Sequence, residues 1–154
     1  MTESNKIEVE FGIPEHGWLL TNLVHKEFYL ELDISDVPLD PMVQLCDALI
    51  EISKGIKEPT RVIWHLEPYC YYLQLEKLEA GYKAIILESD EFASSARVTK
   101  EISGTFEEII LPFYRGIKKF WSKSFKPPHW GQLDSKRIEQ LTELIKKNKE
   151  YNKV

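Results

Sequence analysis

The sequence predicts an α+β fold: a mostly antiparallel sheet of five to six strands with two to three helices packed on one face. The predicted order is β-β-β-α-β-β-β-α-α. Three observations carry this. Several stretches alternate apolar and charged residues with the period of two that a half-solvated strand requires. Other stretches repeat apolar residues at helical spacing. Short turns separate the strands, and strands joined in that way pair antiparallel.

Ile7, Val9 and Phe11 alternate with Glu8 and Glu10 before Gly12, Pro14 and Gly17 interrupt the pattern. Residues 18–25 read as a second strand. Phe28, Leu30, Leu32 and Ile34, alternating with Tyr29, Glu31 and Asp33, form the clearest one. Asp40-Pro41 then announces a helix over 40–54, with Asp40 as the cap and Pro41 where its missing N–H costs nothing. Leu45, Leu49 and Ile52, widened by Val43, Cys46 and Ile50, give it a broad apolar stripe, and Gly55 a left-handed stop.

Strands follow at 60–66, 69–77 and 82–88, the last two joined by Leu78-Glu79-Ala80-Gly81 as a hairpin. A shorter strand over 98–102 is weaker in pattern, and 89–96 reads as a loop. Thr105 and Glu108 have capping-box spacing ahead of a stripe running from Phe106 to Trp121. Pro112 falls inside that stripe, which predicts a kink or break. After Pro127-Pro128-His129-Trp130-Gly131 a last helix is expected over 134–150, with Leu133 and Ile138 as a hydrophobic staple around Asp134.

The 154 residues suit one domain spanning 1–154, with 1–6 as a frayed end and 122–133 as a connector. Hydrophobic residues at 43% and charged residues at 29% exclude a disordered or collagen-like chain. Two cysteines, Cys46 and Cys70, make no disulfide framework. No apolar run approaches the roughly 18–20 residues of a membrane span. The N-terminus has no basic start followed by an apolar stretch. A cytoplasmic protein without membrane contact is therefore expected.

The net charge of −5 conceals its distribution. Residues 1–111 carry 9 basic and 21 acidic side chains, a balance of −12, whereas residues 112–154 carry 11 basic and 4 acidic, a balance of +7. Either the basic helices rest against the acidic strands, or the acidic strands face a basic partner. On the alternating strands Glu8, Glu10, Tyr29, Glu31 and Asp33 point away from the apolar face, and Tyr72 and Glu76 do likewise, so these are the candidate partner-binding residues. A solvated sheet face kept soluble by charge is the simpler reading of the same pattern.

Catalytic signatures are weak. His16, His25, His65 and His129 make no metal-binding spacing with one another or with either cysteine, so no metal ligands, cofactor or catalytic residues are assigned. No phosphate-cradling loop or nucleophile elbow occurs. An alternative pocket for a small molecule or a weak hydrolase would draw on His65 with Glu67, and on the loops carrying His16, Trp18, His129 and Trp130. Lysines interleaved with aromatics toward the C-terminus fit nucleic acid, but a pI near 5.5 argues against it. Self-association is a third use for such a domain.

As a whole the chain resembles a widespread group of small uncharacterised bacterial proteins. The likeness covers most of residues 7–146. It rests on Gly17-Trp18, the strand of residues 28–35, the Asp40-Pro41 helix ending in Gly55, Trp64 ahead of Glu67-Pro68 and Tyr71, and the two closing helices. Some similar proteins are encoded beside polymorphic or contact-dependent toxins as their immunity partners. The resemblance implies a protein-binding role, with another protein such as a basic toxin domain as the partner. It transfers no functional residue.

Overall fold

A computed structural model describes residues 4–66, 69–89, 96–123, 129–131 and 134–151. Among these, seven strands form one antiparallel sheet in sequence order: β1 Glu8–Phe11, β2 Trp18–His25, β3 Phe28–Ser35, β4 Thr60–His65, β5 Cys70–Lys77, β6 Tyr82–Ser89 and β7 Ala96–Gly104. The count exceeds the expected five to six because the weak pattern near residue 98 belongs to a full nine-residue strand. β7 is the far edge of the sheet, and its residues 96–99 are exposed on both sides, so burial leaves little alternation to read. A bulge opposite Ile86 and Leu87 shifts its register further.

Helix α1 spans Pro41–Ser53, between β3 and β4. Asp40 Oδ1 accepts the Met42 N–H at 2.8 Å and Pro41 opens the helix, as the sequence requires. The capping box also forms: Thr105 Oγ1 accepts the Glu108 N–H, and the Glu108 carboxylate accepts the Thr105 N–H at 2.9 Å. Pro112 divides the stripe behind it into one turn, α2 Phe106–Ile109, and a longer helix, α3 Leu111–Trp121. The proline lies in the first turn of α3, where it has no helical hydrogen bond to lose. Helix α4 spans Ser135–Tyr151, with the Asp134 carboxylate accepting the Lys136 N–H. Leu133, the expected staple partner of Ile138, lies outside the described residues.

All four helical segments lie over one face of the sheet. Phe120 of α3 meets Phe11 of β1 edge-to-face at 6.4 Å, and Phe106 of α2 meets Tyr82 of β6 at 5.6 Å. Leu19, Leu23, Leu32 and Ile34, with Val62, Leu73, Leu75 and Ile86, form the sheet side of this core. α4 rests mainly on α1, where Arg137 pairs with Asp47 and Asn148 donates to the Ser53 carbonyl, with further contact to α2 and a hydrogen bond from the Tyr114 hydroxyl of α3 to Thr142. α1 is thus apolar on two sides and α4 on one, which explains the broad stripe of the first and the narrow one of the last.

The sheet also curls back on itself. Asn5 donates to the Ser103 carbonyl and meets His25, while the Lys100 ammonium stands 5.7 Å over the Phe28 ring.

β3 and β4 share a single register pair, Ser35 with His65, before diverging around α1. The Leu66 N–H donates to the Tyr69 carbonyl, which sets the phase of the β4–β5 ladder and turns the N–H and C=O of Ile63 toward β3. No strand meets them there. The Gln44 side chain of α1 does: its Oε1 accepts the Ile63 N–H at 3.1 Å, and its Nε2 lies 3.5 Å from the Ile63 carbonyl.

Two outcomes follow from this geometry. Gln44→Met keeps the side-chain length but leaves both Ile63 groups unpaired, and is expected to lower stability in urea by about 1–3 kcal/mol. Faster hydrogen exchange at the Ile63 amide would accompany it, whereas Gln44→Glu retains an acceptor for that amide. At the capping box, the Thr105 N–H holds the Glu108 carboxyl below its usual range. A carboxyl that is more acidic in the folded chain adds stability above its unfolded pKa, and loses it as pH falls through the folded value. Glu108→Gln is therefore expected to flatten the acid limb of the stability profile, and Thr105→Ala to cost about 1 kcal/mol at neutral pH.

Candidate functional site

Strand alternation sends every second side chain to the face that the helices leave uncovered, and the register shows which of them meet. Glu8, Val24 and Tyr29 form one cross-strand row, Glu10, Asn22 and Glu31 the next, and Leu20 with Asp33 a third. The five candidate residues of β1 and β3 therefore share one patch, and all five are exposed. Leu20 and Tyr29 supply apolar surface there, at 44% and 58% exposure. The Tyr29 hydroxyl donates to Glu31 Oε2 at 2.8 Å and lies 3.2 Å from Asn22 Oδ1. This contact with Glu31 pushes the phenol above its ordinary value.

Among the described residues, no cation pairs with Glu8, Glu10, Glu31 or Asp33. The basic helices are on the other face of the sheet. Arg137 pairs with Asp47 within the helical layer rather than with the strands. Of the two arrangements that the charge partition allowed, the carboxylates do not rest against the chain's own basic helices.

Tyr72 and Glu76 stand on the same uncovered face, in the other half of the sheet, and there the charge is internally matched. Arg61 donates to Gln74 from Nε and Nη2 and lies 4.9 Å over the Tyr72 ring. Gln74 donates to Glu76 Oε1, and Lys83 is 3.9 Å from Glu76 and 4.0 Å from Glu101. The Cys70 thiol beside it is the main cause of the Tyr72 phenol's raised pKa.

An apolar row crosses beside this network: Ile63, Tyr72, Leu87 and Val98, the last 55% exposed. Sequence reasoning missed it. The signal was the unbroken run Ile85-Ile86-Leu87, which marks a strand apolar on both faces.

The alternative pocket residues separate into three places. His16 and His129 meet, with rings 4.8 Å apart and the His16 N–H donating to His129 Nδ1. The Gly17 N–H donates to the His129 carbonyl. Gly17 is required at this crossing, since its φ is +82° and a Cβ would stand 2.7 Å from Asp36 Oδ1.

Trp18 and His65 flank Ser35 in one row on the side of the sheet away from the helices, which continues through Cys70 to Ser89, and Ser35, Cys70 and Ser89 are buried there. Trp130 is 1% exposed in the core behind the sheet, edge-to-face with Phe120 at 6.0 Å. Its indole N–H approaches the Asp40 carboxyl without closing a bond of good geometry, and burial is the main reason that carboxyl is raised. Trp18 and Trp130 are therefore on opposite sides of the sheet. Glu67 lies outside the described residues.

Both cysteines are free and buried, and burial pushes the Cys46 thiol up to about 11. Among the described residues, no three His, Cys, Asp or Glu side chains gather as metal ligands, and no helix is long and apolar enough to cross a membrane. The chain matches no protein-family model, no curated protein and no solved structure.

Core and surface roles of the aromatic loops separate in one measurement. Trp130→Ala is expected to lower unfolding free energy by about 3–5 kcal/mol, as a buried indole requires. His16→Ala with His129→Ala, both exposed, is expected to stay within about 1 kcal/mol of the parent in the same urea titration.

Proposed function

We propose that this chain is a protein-binding module whose uncovered sheet face captures a basic partner. One observation carries the reading. Glu8, Glu10, Glu31 and Asp33 converge on one patch, and no cation of the described residues neutralises them. Four exposed carboxylates around Tyr29 and Leu20 combine long-range attraction for a cationic surface with apolar area to hold it once docked. The row through Ile63, Tyr72, Leu87 and Val98 extends the apolar part of the same face. Rigid strands position every one of these groups, so little order is lost on binding.

The resemblance to immunity proteins gives the partner a form: a toxin domain whose basic active-site surface is covered by the carboxylates, as the substrate-binding surface of a nuclease would be. The test is direct binding, by calorimetry, of the purified chain to the basic products of its neighbouring genes. Glu31→Lys with Asp33→Lys is expected to weaken that complex at least about a hundredfold. The parent's affinity should also fall steeply between low and high salt. If no basic neighbour binds, or if the reversed variant binds as the parent does, the reading is lost.

A further inference from the structure

A groove of about 230 Å³ runs between the edge strand β1 and helix α3. Residues 6–9 form its strand side, and Pro112, Arg115, Gly116 and Lys119 its helix side. These last four fall at i, i+3, i+4 and i+7, so one face of α3 looks along the strand edge. Gly116 keeps the two elements close. A Cβ there would stand 3.0 Å from the Phe11 ring and 3.2 Å from Val9 Cγ1. The groove is therefore shallow and apolar at its floor and cationic at its rim. Arg115 and Lys119 are exposed, and neither has an ion-pair partner among the described residues.

The backbone of β1 adds a second, independent feature. The Gly12 N–H donates to the Leu20 carbonyl on the β2 side, while the Ile7 N–H points away from β2 and donates to the Glu108 carbonyl. Those two bonds fix the phase: Glu8 and Glu10 exchange bonds with β2, and Val9 between them turns both its N–H and its C=O outward. Neither group has a partner among the described residues. Unpaired main-chain groups beside a groove are a template for one more strand.

We propose that this groove receives an extended acidic segment of a partner protein, added as a further strand beside β1. The charge pattern of the segment follows from the pleat. Carboxylates at every second position face Arg115 and Lys119, with Lys6 at the end of the groove. The positions between them carry no negative charge, because they continue the face on which Glu8 and Glu10 stand. This goes beyond the outer-face reading and does not depend on it: the two surfaces take opposite charges, and either can fail alone.

The probe is a fluorescein-labelled octapeptide of four Thr-Glu repeats, followed by polarisation against the intact chain. Saturable binding is expected, together with slowed hydrogen exchange at the Val9 amide. Arg115→Glu with Lys119→Glu, both on the exposed side of α3, is expected to weaken binding at least about tenfold without changing the urea midpoint by much. A Thr-Lys octapeptide should neither displace the labelled peptide nor slow exchange at the Val9 amide. Two further peptides, N-methylated at every Thr or at every Glu, report on the main chain: one should lose binding and the other keep it, because a strand offers one edge to β1.

The proposal is overturned if the Thr-Glu peptide does not bind, or if the doubly reversed variant binds it as the parent does. It is also overturned if both N-methylated peptides bind like the unmodified one, or if inorganic phosphate at equal charge displaces the peptide while Val9 exchange stays unchanged. Either of these last results would make the rim a plain anion attractor.

Discussion

The seven strands remain one sheet because a side chain from a helix takes the place of a missing strand. β3 and β4 touch at Ser35 and His65 and then separate, and α1 enters the opening they leave. An opening of that kind would strand the Ile63 N–H and C=O inside the protein, and an unpaired buried backbone group costs about as much as several good contacts return. The Gln44 carboxamide presents an acceptor and a donor with the spacing of a peptide unit, so it continues the ladder for one residue. The helix that opens the sheet also closes it.

The layering follows from that insertion. With α1 set into the split, its inner side meets β4 and β5 and its outer side becomes a new apolar surface. α4 covers that surface, and its position is fixed by polar contacts at both ends: Arg137 to Asp47 near its start, and Asn148 to the Ser53 carbonyl near its finish. α3 reaches the sheet at β1 instead, where Gly116 allows the helix to lie against Phe11 and Val9. The helices consequently occupy one side in two tiers, and the other side of the sheet has no covering element among the described residues. An uncovered antiparallel sheet keeps its alternation, and the alternation of β1 and β3 is what gathers four carboxylates into one patch.

Those strands were legible because burial acts on one face only, and the caps of α1 and α2 because a single residue type at a fixed spacing satisfies the first N–H groups of a helix. The break at Pro112 was legible for a related reason: the ring excludes one helical bond whatever surrounds it. β7 was under-read, since an edge strand exposed on both sides has no apolar period. Gln44 was not legible at all. It occupies an ordinary polar position on the shoulder of an apolar stripe, and only the long-range divergence of β3 and β4 gives it a task.

The candidate site divides in the same way. Membership of the acidic patch is set by parity along each strand, which a sequence displays. Whether Trp18 and Trp130 share a pocket depends on which side of the sheet the segment around residue 130 returns to, and no local pattern encodes that. Their loops do meet, through His16 and His129, but the two indoles do not.

The charge partition takes on a different meaning in three dimensions. A balance of −12 against +7 along the chain suggested either mutual neutralisation or an outside partner. The fold turns Glu10, Glu31 and Asp33 to the side of the sheet away from the helices and keeps the cations of α3 in the helical layer, with Glu8 bordering the groove beside Arg115 and Lys119. Packed layers stand about 10 Å apart, while charges in physiological salt are screened over about 8 Å. A molecule approaching the uncovered face therefore meets an acidic surface, one approaching α3 meets a basic one, and neither responds to the net charge of −5. Strand β1 stands at the boundary, with carboxylates projecting to one side and the Arg115–Lys119 groove beside its free edge. On the two proposals above, partners of opposite sign would occupy the two sides of the same four-residue strand.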